Sequence, residues 1–481
     1  MGSHNFSSNQ EQLSFSNEID LKLFLPPTRL TNTSPLALSG MIFLNSRVPR
    51  AKHRPAPRVR CAHVPAQIPI MPTQQTAWQE AKIDTLPDNI LADIFSVLTV
   101  SSNESRLYDP TTLSHVSSRW RAVALSASSL WTFIVVTFPL AAGQIARAKA
   151  ALARSKDRPI DVHIDIRDPD WSWESDEDQH QMRSVSVVEI MEWLGPSHPR
   201  WRSLTVLTDT WVPMHTFLAY STMFSSLPKL ERLSLNRCNA FAGLPDAPDP
   251  VPSDPVGLFD GNAHLPKLRH VALAGVHINY SCTGFKGLLS LDLRHQPHKV
   301  SPTTRQLRQL FHASPGLKTL SLVALNPHTE EPEQDDGPAV SLTNLTDLTL
   351  GWWFVEDVVE LLKVLRLPVV ENLVLEDIAP TLLQQDFVAR DSTPILDILE
   401  RMGSVPPDPA LPPSFPSQLR RLTINGVLLN PTAFSRFIPL LANLEELELK
   451  SVQPDLVQAV DHAQRTAESD SSVVSVILKL R

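Results

Sequence analysis

The chain has few of the residues that commit a protein to disulfides or membranes. Only three cysteines occur in 481 residues: Cys61, Cys238 and Cys282. They are far apart, odd in number and never arranged as C-x-x-C. That gives no disulfide framework or zinc knuckle and suits a reducing compartment. No apolar run approaches the roughly 20 residues that cross a bilayer. A basic start followed by an apolar core is missing at the N-terminus, so no secretory signal is expected. The five N-x-S/T triplets, Asn279-Tyr280-Ser281 among them, are then expected to be chance. Glycine is scarce at 15 residues, while proline reaches 42 and falls between apolar runs as punctuation.

Charge of either sign is not dominant. Forty-three basic against 51 acidic residues leave a net charge of −8, which gives no support for a nucleic-acid-coating protein. Catalytic signatures are also missing: there is no G-x-S-x-G, P-loop, G-x-G-x-x-G or H-E-x-x-H, and the 16 histidines lack metal-ligand spacing. No catalytic, cofactor-binding or metal-ligating residue is therefore assigned, and a non-catalytic protein without cofactor is expected. An acidic tract (Asp165, Asp168, Asp170, Glu174, Asp176, Glu177, Asp178) lacks the glycine and closing glutamate of a calcium loop and reads as a solvated segment.

Hydrophobic residues make up 42% of the chain, enough for a large core and more than one domain. Residues 1–79 have little periodicity and are expected to be a disordered tail. The cluster Arg47, Arg50, Lys52, Arg54, Arg58 and Arg60 within them fits a solvated basic stretch or a nuclear-import signal. Residues 80–135 hold a helical unit, and residues 136–481 a linker helix and a repeat array. The linker is an alanine-rich amphipathic pattern over residues 140–156. Ile160, Val162 and Ile164 then alternate with polar residues, as a half-buried strand does.

The array repeats the form L-x-x-L-x-L. Its leading position falls at Trp201, Leu230, Leu268, Leu288, Leu317, Leu345, Val370, Leu419, Leu444 and Val473. The mean spacing of about 30 residues is slightly above the usual leucine-rich-repeat period, stretched by proline-rich insertions at 239–264 and 406–416. One repeat cannot bury its leucines alone, but stacked repeats build a continuous core behind a parallel sheet. Helical spacing between strands, as in Thr304, Leu307, Leu310 and Phe311 or Val355, Val358, Leu361 and Leu362, supplies a convex layer. The expected class is α/β: a short three-helix unit, then an irregular solenoid with parallel strands on the concave face. Asparagine is missing from the position where regular repeats carry a ladder. Residues flanking the leucines face the concave side, and the candidate protein-binding residues there are Arg232, Asn236, Asp292, Arg294, Asp347, Glu376, Arg421, Asn425 and Glu448. Ala272, Ala274 and Gly351 are expected to be low spots among them.

The helical unit has two stripes. Pro87 fits only a first turn, and Ile90, Leu91, Ile94, Phe95 and Leu98 follow at spacings of three and four. A polar loop over 99–112 ends in Asp109-Pro110, and Leu113, Val116 and Trp120 restart the pattern. These residues, with Leu86-Pro87 at the front, resemble an F-box. The segment Leu113–Ser126, Ser129-Leu130-Trp131 and the later Pro199-Arg200-Trp201-Arg202-Ser203-Leu204 are similar to F-box-like proteins abundant in mushroom-forming fungi. A longer loop at 99–112 and Ser117, where that group commonly has cysteine, depart from the pattern.

The resemblance implies a substrate-recognition subunit of a Skp–cullin–F-box ubiquitin ligase, acting in ubiquitin-dependent degradation in cytosol or nucleus. The unit would dock a Skp-type adaptor, and through it a cullin, by Leu86, Pro87, Ile90, Leu91, Ile94, Phe95, Leu98, Leu113, Val116 and Trp120. The repeats would hold a protein substrate; nucleic acid, membrane and metal are not expected partners. The alternative is a leucine-rich-repeat scaffold whose unit is a mere cap, its apolar face packed internally against residues 141–152.

Overall fold

The computed structural model describes residues 83–99, 109–172, 180–238, 256–296, 301–327, 338–379, 390–403, 415–460 and 477–480. All of them lie in the second of two compact units, Met1–Ala51 and Lys52–Arg481. The tail at 1–79 and the repeat start at Val473 fall outside the described residues, as do most of the two proline-rich insertions.

Twelve strands form one parallel sheet: β1 (Phe133–Thr137), β2 (Ile160–Asp165), β3 (Trp201–Thr208), β4 (Arg232–Arg237), β5 (His270–Ala274), β6 (Ser290–Arg294), β7 (Thr319–Val323), β9 (Asp347–Trp352), β11 (Asn372–Asp377), β12 (Arg421–Asn425), β13 (Glu446–Lys450) and β14 (Ile477–Leu480). β8 (Val340–Ser341) and β10 (Leu365–Arg366) pair separately. Within the large sheet, spatial order is chain order. The mixed α/β arrangement with a large parallel sheet is compatible with a solenoid.

Register carries the physics. Leu204, Leu233, Val271, Leu291, Leu320, Leu348, Leu373, Leu422 and Leu447 stand side by side on successive strands. Two residues on, Val206, Leu235, Leu273, Leu293, Leu322, Leu350, Leu375, Ile424 and Leu449 make a second row. Both rows are buried, as are the leading residues from Trp201 to Leu444. Each such side chain contributes roughly 1.5–3 kcal/mol of burial.

The helices lie against these rows, and their apolar faces join the same core. They include α4 (Ala142–Arg154), α5 (Ser184–Leu194), α6 (Trp211–Ser221), α7 (Thr304–Ala313) and α8 (Val355–Lys363). The patterns at 304–311 and 355–362 form α7 and α8; a capping box of Thr303 and Gln306 starts α7. Parallel sheets are ordinarily covered on both faces and nearly all apolar. Here most of the alternate residues are polar and half-buried or exposed, with Ala272, Ala274, Ser321, Val323, Gly351 and Val374 as exceptions, so this face is not part of the large core.

Two strands were not anticipated as part of the array. β2 is the strand expected at Ile160–Ile164, but it pairs with β3 in the same sheet. β1 has no leucine signature; Ile134 and Val136 take the two core positions instead.

This register makes neighbours one residue apart differ sharply in cost. Leu348→Ala is expected to destabilise by about 2–5 kcal/mol in denaturant unfolding. Thr349→Ala, on the opposite face, is expected to stay within about 0.5 kcal/mol.

Candidate protein-binding surfaces

The helical unit consists of α1 (Asp88–Thr99), α2 (Pro110–Ser114) and α3 (Ser118–Ser126). Sequence dictates each start. The Pro87 carbonyl accepts the first helical bond of α1 from Leu91 N–H. Asp109 caps α2 by accepting from Thr111 N–H at 2.7 Å, with Pro110 behind it. Ser117 caps α3 by accepting from Trp120 N–H at 3.1 Å. The serine that departs from the resembled pattern therefore has a structural role. Arg119 ties α3 to α1 through Asp88 at 2.7 Å and through the Leu86 carbonyl.

The ten expected docking residues divide into three groups. Leu91, Phe95 and Leu113 are buried inside the chain. Phe95 packs on Trp120 with ring centroids 4.8 Å apart, and α1 packs against α3 and the turn Ser128–Trp131. These three hold the unit together and offer no surface, a correction to the single apolar face read from the sequence. The main internal neighbours of α1 are α3 and the 128–131 turn, more than the helix over 141–152. Leu86, Ile94, Leu98 and Trp120 are half-buried. Pro87, Ile90 and Val116 are exposed, Ile90 by 42% and Val116 by 59%.

One residue escaped the sequence reading. Val97 is 73% exposed and sits seven residues after Ile90. At about 100° per residue, Ile90, Ile94 and Val97 make one stripe beside the buried Leu91–Phe95 stripe. The spacing of seven from Ile90 would have found it; the broader apolar pattern hid it.

The nine candidate residues of the array share the polar face of the sheet. Asn372 donates to Asp347 at 2.6 Å and accepts from Arg421 at 2.8 Å, linking β9, β11 and β12. Asn425 donates to Glu376 at 2.8 Å, and Lys450 pairs with Glu448 at 2.9 Å. Asp292 pairs with Arg294 at 2.8 Å, while the Asn236 amide donates to Ser234. Arg232 is exposed at the start of β4. Gly351 is not an open notch: a Cβ there would stand 2.8 Å from Val323, whose side chain fills the place.

Among the described residues no group of three or more histidine, cysteine or acidic side chains is arranged to hold a metal ion. Part of the acidic tract serves structure instead. Asp165 pairs with Arg167 at 2.7 Å; burial works against its charge, but the Arg167 hydrogen bond and charge hold its pKa below the ordinary value. Where the strands end, His277 is buried against the Trp211 ring at 4.5 Å. Burial, and then the charge of Arg237, bring its pKa down to about 3.

Residues 83–137 match the family model described as F-box-like. No curated protein matches the chain. The protein thus carries an F-box-like domain of 83–137, whose end coincides with the end of β1. Such a domain suggests a role in substrate recognition by a ubiquitin ligase; proteins that carry it are generally non-catalytic and typically bind Skp-type adaptors.

Two outcomes test the division of the unit. Phe95→Ala is expected to cost about 3–5 kcal/mol in unfolding, whereas Ile90→Asp should leave the melting midpoint nearly unchanged. The pH dependence has a definite sign. His277 binds its proton only below about 3 when folded and near 6.5 when unfolded, so its contribution makes stability fall as pH drops through that window. Compared with wild type, His277→Phe should lose about 1–2 kcal/mol less between pH 7 and pH 5 in urea titrations.

Proposed function

We propose that the chain is the substrate-recognition subunit of a Skp–cullin–F-box ubiquitin ligase. The observation that carries this reading is the apolar stripe of exposed Ile90 and Val97 with half-buried Ile94 on α1, together with a second exposed apolar side chain, Val116, on a domain that matches the F-box-like model. Such a stripe is an association liability unless covered, and a Skp-type adaptor is its expected cover. The adaptor would bring a cullin. Docking would use Pro87, Ile90, Val97 and Val116, with the half-buried Leu86, Ile94, Leu98 and Trp120 at the margin.

The sheet fits an irregular leucine-rich-repeat solenoid, since chain order equals spatial order and the leading residues from Trp201 to Leu444 are buried. Its polar face, from Arg232 to Glu448, is the surface offered to a protein substrate. The chain performs no transfer itself in this reading.

A second reading has one observation in its favour. Burial of Leu91, Phe95 and Leu113 inside the chain suits a unit that merely caps the array of a scaffold protein.

Capture of a purified Skp-type adaptor by the full-length chain separates the two. Wild type should retain the adaptor, and Ile90→Asp or Val116→Asp should reduce affinity about tenfold or more with the fold intact, judged by circular dichroism. Failure of wild type to bind would overturn the ligase reading in favour of the scaffold.

A further inference from the structure

β1 ends the sheet. Among the described residues it pairs with β2 on one side only. The ladder starts with Asp161 N–H donating to the Thr132 carbonyl at 2.8 Å and closes with Phe138 N–H donating to the Asp165 carbonyl at 2.9 Å. In a parallel ladder such a strand spends alternate residues on its neighbour. The N–H and C=O of Val135 and the N–H of Thr137 therefore project from the outer edge. Gln144, oriented with its nitrogen toward β1, donates to the Thr137 carbonyl at 2.9 Å and closes one end.

Natural edge strands are usually guarded by a lysine, a proline or a bulge. This one reads Phe-Ile-Val-Val-Thr, with Val135 37% exposed. Alongside it runs a groove of about 340 Å³, floored by Ala148 and Ala151 of α4 and by Trp131. Small side chains on α4 leave the room that an added strand needs.

The charged side chains that line the groove are Arg147 and Asp109. Arg154, seven residues after Arg147, lies on the same face of α4, so two arginines stand there against one aspartate. Arg147 meets Asp109 only at 4.0 Å, with both side chains exposed, so that pair is weak and easily exchanged. Arg154 lies over the Trp131 ring at 4.5 Å, on the groove side of the helix.

We propose that this groove is a docking site for an extended, acidic segment of a partner protein, which adds to β1 as a further strand. Its backbone pairs with Val135, and its carboxylates meet Arg147 and Arg154. The inference stands on the sheet edge and does not depend on adaptor docking, so the two can fail separately.

The test uses the full-length chain without adaptor and fluorescence anisotropy. The probes are a labelled peptide of alternating valine and glutamate, its lysine-for-glutamate counterpart, and a version N-methylated at alternate residues. The glutamate peptide should bind saturably, more weakly at high salt, and at least about tenfold more tightly than the other two. Arg147→Glu should reverse the charge preference. Val135→Pro, which removes the outward N–H at an edge position where proline is tolerated, should weaken binding by a similar factor. If that variant unfolds, Arg147→Glu and the N-methylated peptide decide alone. Absence of saturable binding, equal binding of the N-methylated peptide, or dimerisation of the chain that Val135→Pro abolishes would overturn the proposal; the last would assign the edge to a second copy.

Discussion

The pair of leucine rows, set two residues apart and held in register from β3 to β13, is the constraint on which the rest depends. A slip of one residue on any strand would turn its leucines to the polar face and break both rows. Once the rows are fixed, the helices have one place to go. Leu307 and Phe311 of α7 and Leu361 and Leu362 of α8 complete the same core. The other face takes little part in that core, so its residues can vary at small cost to the fold.

The helical unit follows a different economy. Three short helices within about 50 residues are marginal as a lone domain. Leu91, Phe95 and Leu113 are spent on holding it together, and Leu130 and Trp131 continue its core into that of the sheet. Trp131 is fixed further by its indole N–H, which donates to the Ala124 carbonyl at 2.8 Å. What remains for a partner is the flanking stripe, smaller than the full apolar face but not needed internally.

Much of this was legible because two periods dominate the chain. A spacing of two with leucine at fixed places located β4, β6, β7, β9 and β13; a spacing of three and four located α1, α7 and α8. Leu91 and Ile90 look alike in sequence, however, and only the packing of Phe95 on Trp120 decides which of the two faces outward. β1 escaped because Ile134 and Val136 replace leucine and the strand follows directly on the helical unit. Gly351 misled for the opposite reason: a missing side chain suggested a notch, but a neighbouring valine occupies the space. Hydrogen bonds across strands, such as Arg421 to Asn372 to Asp347, join residues far apart in sequence and leave no local trace.

The junction between the two parts follows from the same rows. An array built by stacking must stop somewhere, and its first strand must be covered on the core side. Here the F-box-like match runs through β1 itself, and only the residues between Ser126 and Phe133 separate α3 from the sheet. Ile134 and Val136 place the first rungs of both leucine rows inside that domain. The helical unit thereby shares one core with the first described strands of the sheet. The price of that fusion is an edge strand whose outer backbone groups meet no further strand among the described residues. A partner held on the exposed stripe of α1 and one held on the polar face would be joined through a continuous hydrophobic core, without an intervening linker. The stability of the helical unit and that of the sheet are consequently coupled, since both draw on one hydrophobic core.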